Sequence, residues 1–161
     1  MNRWKRANLV LLAALLLVVM IQPGKSYAYA DRMMSLTPPP PPSPLIMPLG
    51  FFDPSNQYLE QGETKIYDNG DQTVTIEMST TSYSQVSSIG ATVTLQMWTG
   101  GTWANIGTST TKSKSNDWYF KDQVTKVVAR GYYFRVKSTH WISTGNVYEQ
   151  GEIISTSILV K

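Results

Sequence analysis

The chain has 161 residues, no cysteine and a formal net charge of +3, but this charge is unevenly distributed. Four of the 14 basic residues lie within residues 1–30, which contain no acid, so residues 31–161 hold ten basic and 11 acidic side chains and a net charge of −1. The net charge of residues 31–161 therefore does not indicate a basic surface for binding nucleic acids or anionic membranes. The absence of cysteine excludes disulfides, so the core alone must stabilise the fold.

Residues 1–30 have the pattern of a secretory signal peptide. Basic residues precede an unbroken apolar run at 9–21, and Ala28-Tyr29-Ala30 places small residues where a signal peptidase requires them. A membrane-spanning helix needs about 20 apolar residues, so we favour cleavage before Asp31 over an uncleaved anchor. The pattern predicts a secreted protein that is not stably inserted in the membrane after cleavage. Export of a domain without cysteine favours a Gram-positive bacterial source.

Residues 31–57 combine a proline-rich spacer with an apolar segment. The five prolines at 38–42 must adopt polyproline II, a stiff helix that rises about 3.1 Å per residue. Residues 45–52 are apolar but interrupted by proline and glycine. We favour packing of these residues along the flank of the domain, because exposed apolar surface is usually covered. The alternative is a peptide that contacts a partner or a membrane.

Residues 58–161 are predicted to form one β domain. Apolar and polar residues alternate around 74–78, 93–97 and 154–160, and no segment has a helical period. Asn69-Gly70 is typical of a tight hairpin turn.

Two polar stretches, Thr80–Ser88 and Thr108–Asn116, are predicted to be solvated loops between strands. About seven short strands, with turns between them, indicate an antiparallel β-sandwich of the immunoglobulin or fibronectin type.

A two-residue loop at Gly100-Gly101 predicts the register of the strands beside it. Trp98 then lies opposite Trp103 and points outward with it, while the neighbouring apolar residues point inward. The residues predicted to point inward are Leu95, Met97, Ala104 and Ile106.

The clearest strand pattern follows Gly131. Tyr132, Phe134 and Val136 lie on one face at a period of two, and we predict that they have a structural role in the core. The corner formed by Val128 to Tyr132 resembles the turn between strands E and F of fibronectin type III domains. That resemblance implies a tyrosine corner, in which the hydroxyl of Tyr132 turns back onto the preceding backbone.

The order of motifs in roughly residues 60–161 is also similar to that of a group of small secreted Gram-positive bacterial proteins classed as a domain of unknown function. The resemblance is carried by Ser88–Trp98, Gly101–Trp103, Gly131–Val136 and His140-Trp141. It implies an exported β-sandwich, and the group has no established activity.

The sequence shows no set of catalytic residues. His140 is the only histidine, and neither a cysteine nor a G-x-S-x-G motif accompanies it, so we predict a strand-end residue that forms a hydrogen bond near Trp141. We interpret the carboxylates that could pair for glycoside hydrolysis as solvated surface charge. These carboxylates are Glu77, Asp117, Asp122, Glu149 and Glu152. No cofactor, metal ion or enzymatic activity is predicted.

Trp98 and Trp103 are the candidate ligand-binding residues. Amphipathic aromatic rings suit flat sugar rings, although cross-strand packing that braces the hairpin explains the same pair. We predict a secreted, non-catalytic binding or structural module whose partner is a cell-wall glycan or another extracellular protein. The alternatives are an antagonist or toxin-like protein acting on membranes through residues 45–52, and a small carboxylate-dependent hydrolase. The sequence leaves the oligomeric state open.

Overall fold

A computed structural model of the chain describes residues 35–42, 50 and 52–161. Within these residues, six strands form one antiparallel sheet and no helix is present, which confirms the all-β prediction for this part of the chain. The strands are β1 (Leu59–Asp68), β2 (Thr73–Trp98), β3 (Trp103–Val127), β4 (Tyr133–Thr144), β5 (Val147–Ile154) and β6 (Ile158–Leu159). The predicted signal peptide and its cleavage site lie outside the described residues.

No helix long and apolar enough to cross a membrane occurs in residues 35–42, 50 and 52–161.

The strands are longer than the sequence pattern predicts, because β2 has 26 residues and β3 has 25. The prediction of loops at Thr80–Ser88 and Thr108–Asn116 was wrong, since these stretches continue β2 and β3. β3 is exposed on both faces over most of residues 107–119. This part of the strand therefore shows no alternation of apolar and polar residues, and its backbone hydrogen bonds to β2 keep it in the sheet. The last strand predicted within residues 154–160 is present as β6, but it is shorter than predicted, because Ile154 still belongs to β5.

β2 is the centre of the sheet. Its first half pairs with β1 and its second half with β4, while β3 runs along the opposite side of both halves. The register against β3 shifts between Thr81 and Val86, and the buried apolar residues of β2 are even-numbered through Val86 and odd-numbered from Ile89 to Leu95. The two halves of the sheet consequently face each other, and a side-chain hydrogen bond joins Thr64 of β1 to His140 of β4.

The core lies between these facing halves. The alternation predicted for β4 is confirmed, because Phe134 and Val136 are buried while Arg135 and Lys137 are only half-buried on the other face. Tyr132 is half-buried and packs against the core. Further fully buried residues come from β1, β2 and β4: Leu59, Val74, Ile76, Met78, Ile89, Val93 and Ile142.

Glu149 of β5 fixes the start of β1. Its carboxylate accepts hydrogen bonds from three successive backbone N–H groups, those of Gln57 at 2.6 Å, Tyr58 at 2.9 Å and Leu59 at 2.7 Å. Partial burial raises the pKa of this carboxyl, but the three hydrogen bonds together outweigh burial and lower it. The prediction of a merely solvated charge was therefore wrong for Glu149.

Glu149→Gln should destabilise the fold by about 1.5 kcal/mol, because a neutral amide replaces an ionised acceptor of backbone hydrogen bonds. Urea denaturation at pH 7 measures this change. Glu152→Gln is the matched control, since Glu152 forms an exposed ion pair with Lys137 at 2.9 Å and such pairs contribute about 0–1 kcal/mol. Equal losses for the two variants would mean that Glu149 does not hold the start of β1.

Candidate ligand-binding surface

The Trp98–Trp103 pair closes the β2–β3 hairpin in the predicted register. Trp98 lies opposite Trp103, and Leu95 lies opposite Ile106. The N–H of Thr99 donates to the carbonyl of Thr102 at 3.0 Å. The two indole ring centroids are 5.3 Å apart, with the ring planes inclined at 51°. This geometry is typical of a favourable aromatic pair.

The two indoles are not equally open to solvent. Trp103 is half-buried, whereas only 7% of Trp98 is exposed. The proline-rich segment covers Trp98, and the indole Nε1–H donates to the carbonyl oxygen of Pro38 at 3.0 Å. The predicted pairing is thus confirmed, and Trp98 is covered by the proline-rich segment rather than open to solvent.

Arg135 of β4 connects the aromatic pair to the rest of the sheet. Its guanidinium carbon lies 4.3 Å from the ring centroid of Trp103, a distance at which a cation–π interaction is favourable. Its Nε–H donates to Gln96 Oε1 at 2.9 Å, and Gln96 Nε2 donates to Asn105 Oδ1 at 2.9 Å. Burial lowers the pKa of the guanidinium, which remains charged at neutral pH. One side of Trp103 is therefore occupied.

The segment Ser35–Pro42 contacts the sheet at a second point, Gly131. The N–H of Leu36 donates to the carbonyl of Gly131 at 2.7 Å. A Cβ on Gly131 would lie 2.9 Å from Cγ of Leu36, and φ at this glycine is +81°, so a side chain is excluded by both space and backbone conformation. The first half of the proline-rich segment therefore lies on the domain.

Gly50 and Phe52 pair with the outer edge of β1. The N–H of Gly62 donates to the carbonyl of Gly50 at 2.9 Å, and the N–H of Phe52 donates to the carbonyl of Glu60 at 3.2 Å. Phe52 also packs against the core. The interpretation that this segment packs along the domain is confirmed at these two residues. Residues 45–49 and 51 lie outside the described part of the chain.

His140 is fully buried in the interior of β4, so its predicted position at a strand end near Trp141 was wrong. Its Nε2 lies 2.9 Å from Thr64 Oγ1 and 3.1 Å from Ser138 Oγ, and its Nδ1 lies 2.8 Å from Thr80 Oγ1. All three hydroxyl residues are themselves buried. This arrangement is a closed structural network, because no substrate can reach the imidazole from solvent.

The hydrogen bonds assign the protonation state of the His140 ring. The hydroxyl of Thr80 donates to the carbonyl of Gly90 at 3.1 Å, so it accepts from Nδ1–H, and Nε2 then accepts a hydrogen bond from a neighbouring hydroxyl. Burial lowers the pKa of the imidazole to about 4, with a small opposing effect from a hydrogen bond to the Ser79 backbone. The ring is therefore neutral at pH 7.

Most of the remaining candidate carboxylates are surface charges, as predicted. Asp117 pairs with Lys114 at 2.6 Å, and Asp122 lies 4.0 Å from Lys112. Glu77 lines a shallow depression together with acidic and basic neighbours. These contacts account for the charges without a catalytic pair.

Tyr132 occupies the predicted corner position. Its carbonyl accepts the N–H of Val160 at 3.1 Å. Within residues 52–161 its hydroxyl forms no hydrogen bond to the preceding backbone, so the predicted tyrosine-corner contact is absent there.

Sequence reasoning found the two tryptophans but missed the groups around them. The alternation of β4 places Arg135 on the outer face, and the hairpin register places Gln96 opposite Asn105. Both signals were present in the sequence. Combined, they would have predicted that Arg135, Gln96 and Asn105 lie beside the aromatic pair. No comparable pattern indicated that Pro38 covers Trp98.

The sequence matches no protein-family model, and no curated protein is similar to it. Among solved structures, the solution structure of R. palustris CsgH is similar at 12% identity and a TM-score of 0.35, over 58% of this chain and 89% of that chain.

Trp98→Ala should destabilise the fold by about 3 kcal/mol, because the ring is buried and also donates to Pro38. A double-mutant cycle with Trp103→Ala should give a coupling of about 0.5–1.5 kcal/mol in the free energy of unfolding. Trp118→Ala is the control, since 56% of that ring is exposed. An unchanged melting temperature for Trp98→Ala, together with no coupling, would instead identify the rings as an open platform.

Proposed function

We propose that the protein is a secreted, non-catalytic binding module whose ligand lies on the aromatic end of the β2–β3 hairpin. One observation carries this proposal: Trp98 already holds a carbonyl of an extended chain segment through its indole N–H. Trp103 and Arg135 extend the same surface. A surface that holds one extended polymer chain has the donors and the ring faces to hold another.

The proposed setting is the outside of a Gram-positive cell, with a cell-wall glycan or another extracellular protein as the partner. Aromatic rings beside amide and guanidinium groups suit both the ring faces and the hydroxyls of sugars. The two facing halves of the sheet, with the core between them, are compatible with the immunoglobulin-like sandwich that the sequence resemblance implies. We retain that layout as part of the proposal.

Binding is tested with the mature chain, residues 31–161, against washed cell walls and a panel of glycans. We expect retention of the parent protein and its loss in Trp103→Ala, whose ring is the more accessible of the pair. Trp118→Ala should be retained like the parent, because that ring lies elsewhere on β3. Absence of retention for the parent, or full retention of Trp103→Ala, would remove the glycan as a ligand.

Secretion is tested separately by sequencing the N-terminus of protein from the culture medium. Since Ala28-Tyr29-Ala30 supplies the cleavage site, the sequence should begin at Asp31. Recovery in the membrane fraction alone, with Met1 retained, would contradict export by cleavage.

The two alternatives have less support. A membrane-active segment at 45–52 would need to leave the domain, whereas Gly50 and Phe52 are hydrogen-bonded to β1. A carboxylate hydrolase would need a free pair of acids, whereas Glu149 accepts three backbone hydrogen bonds and Asp117 is paired with a lysine.

A further inference from the structure

The contact between Trp98 and the proline-rich segment has the chemistry of polyproline recognition. A polyproline II helix forms no internal hydrogen bonds, so its carbonyl oxygens are free to accept bonds from a partner. Domains that bind such helices present aromatic grooves to the stiff, preordered chain. Trp98 supplies both the ring and the donor, because its Nε1–H is 3.0 Å from the carbonyl oxygen of Pro38.

The residues before the prolines also contact the surface. The N–H of Leu36 donates to Gly131 at 2.7 Å, and its side chain lies where any residue other than glycine would carry a Cβ. Thr37 and Pro38 lie within contact distance of a Cβ placed on Gly100. These contacts fix the direction and the register of the bound segment through its backbone, while 65% of the Leu36 side chain stays exposed.

The bound segment is held at one end. Among the described residues, its hydrogen bonds to the sheet are those of Leu36 and Pro38. The exposed residues of the segment are Leu36, Pro38, Pro39, Pro41 and Pro42, so the two backbone hydrogen bonds carry most of the contact. A stiff segment held by so few bonds loses little conformational entropy on binding and can be exchanged for another of the same kind.

We propose that the surface formed by Trp98 and Trp103 at the hairpin end, together with Gly131 before β4, is a binding site for polyproline II peptides, with Ser35–Pro42 as its intramolecular ligand. This inference rests on the proposed function, because it names the ligand class of the same surface. Since the chain's own segment occupies the site at a high effective concentration, a ligand in solution must displace it. The site is thus masked in the isolated protein.

The test uses the full mature chain, residues 31–161, and a variant whose segment can no longer form polyproline II, with Pro38→Gly, Pro39→Gly and Pro40→Gly. The probe is a fluorescein-labelled synthetic peptide with the sequence of residues 35–44, followed by fluorescence anisotropy. We expect the variant to bind the probe at least about tenfold more tightly than the parent does, because its own segment no longer competes. A scrambled peptide of the same composition should not bind.

The role of the indole is tested in the same background. Trp98→Phe keeps an aromatic ring but removes the N–H donor, so affinity should fall about tenfold, as expected for one lost hydrogen bond. Trp118→Phe should bind like its background. Equal affinities of the parent and the triple variant, or an unchanged affinity in Trp98→Phe, would overturn the proposal.

A second measurement needs no substitution. Hydrogen exchange of the indole N–H groups, followed by NMR of the parent, should be slow at Trp98 and fast at the exposed Trp118. Similar rates would overturn the intramolecular contact. If the peptide fails while cell-wall retention depends on Trp103, the binding function stands with a glycan ligand and only this inference falls. If neither the peptide nor the cell wall is bound, both this inference and the proposed binding function are contradicted.

Discussion

Gly62→Ala is expected to destabilise the fold by about 3 kcal/mol, the upper end of what overpacking a core usually costs. A Cβ at residue 62 would lie 2.5 Å from Cγ of His140 and 2.8 Å from two further atoms of its ring. The ring cannot move away easily, because hydroxyl groups hold it on both nitrogens. Either β1 must shift away from β4 or the His140 network must break. Urea denaturation at pH 7 gives the change in the free energy of unfolding.

Gly101→Ala is the matched control for this prediction. A Cβ at residue 101 would meet no atom within 4 Å, and the residue is not among those with a positive φ. The control should change stability by no more than about 0.5 kcal/mol. Comparable losses at both glycines would show that β1 and β4 do not pack as closely as described.

Acid should weaken the fold through His140, the only histidine of the chain. The pKa of its imidazole is about 4 in the folded protein and about 6.5 in an unfolded chain. Between these two values the unfolded state binds a proton that the folded state does not, so stability falls as the pH is lowered. The loss is about 1.4 kcal/mol per pH unit, or about 3 kcal/mol in all, and is complete below pH 4. Above pH 6.5 this contribution is fully present.

Two measurements check this prediction. Urea denaturation at several pH values should show the loss between pH 6.5 and 4, and His140→Gln, which cannot titrate, should show a flatter dependence. The imidazole signals in NMR belong to one residue only, so their midpoint reports its pKa directly. A midpoint near 6.5, or the same pH dependence in both proteins, would rule out a buried neutral ring.

The period-2 alternation and the glycine pair at 100–101 were sufficient to predict the buried face of β4 and the register of the hairpin. Both follow from local geometry, because neighbouring side chains of a strand point to opposite faces and a two-residue loop fixes which residues are opposed. The continuation of β3 through Thr108–Asn116 could not be predicted in this way. Solvent on both faces of that stretch removes the hydrophobic signal on which strand prediction depends.

The surroundings of His140 depend on long-range geometry. Thr64 reaches the ring because β1 and β4 pair with successive halves of β2, whose buried face changes between Val86 and Ile89. A bulge of this kind leaves little trace in composition. The cover over Trp98 was missed for a related reason. Five prolines predict the local conformation of the segment but carry no information about the surface on which it lies.

β3 runs along the side of the sheet for 25 residues and, within the described residues, pairs with β2 alone. Such a long open edge offers unpaired backbone groups that can nucleate aggregation between molecules. Its sequence counters this risk in two ways: four lysines are distributed along it, and Asn116 has a positive φ of 54° that interrupts its flatness. The lysines are Lys112, Lys114, Lys121 and Lys126. The polar composition that conceals this strand from prediction thus also disfavours edge-to-edge pairing between molecules.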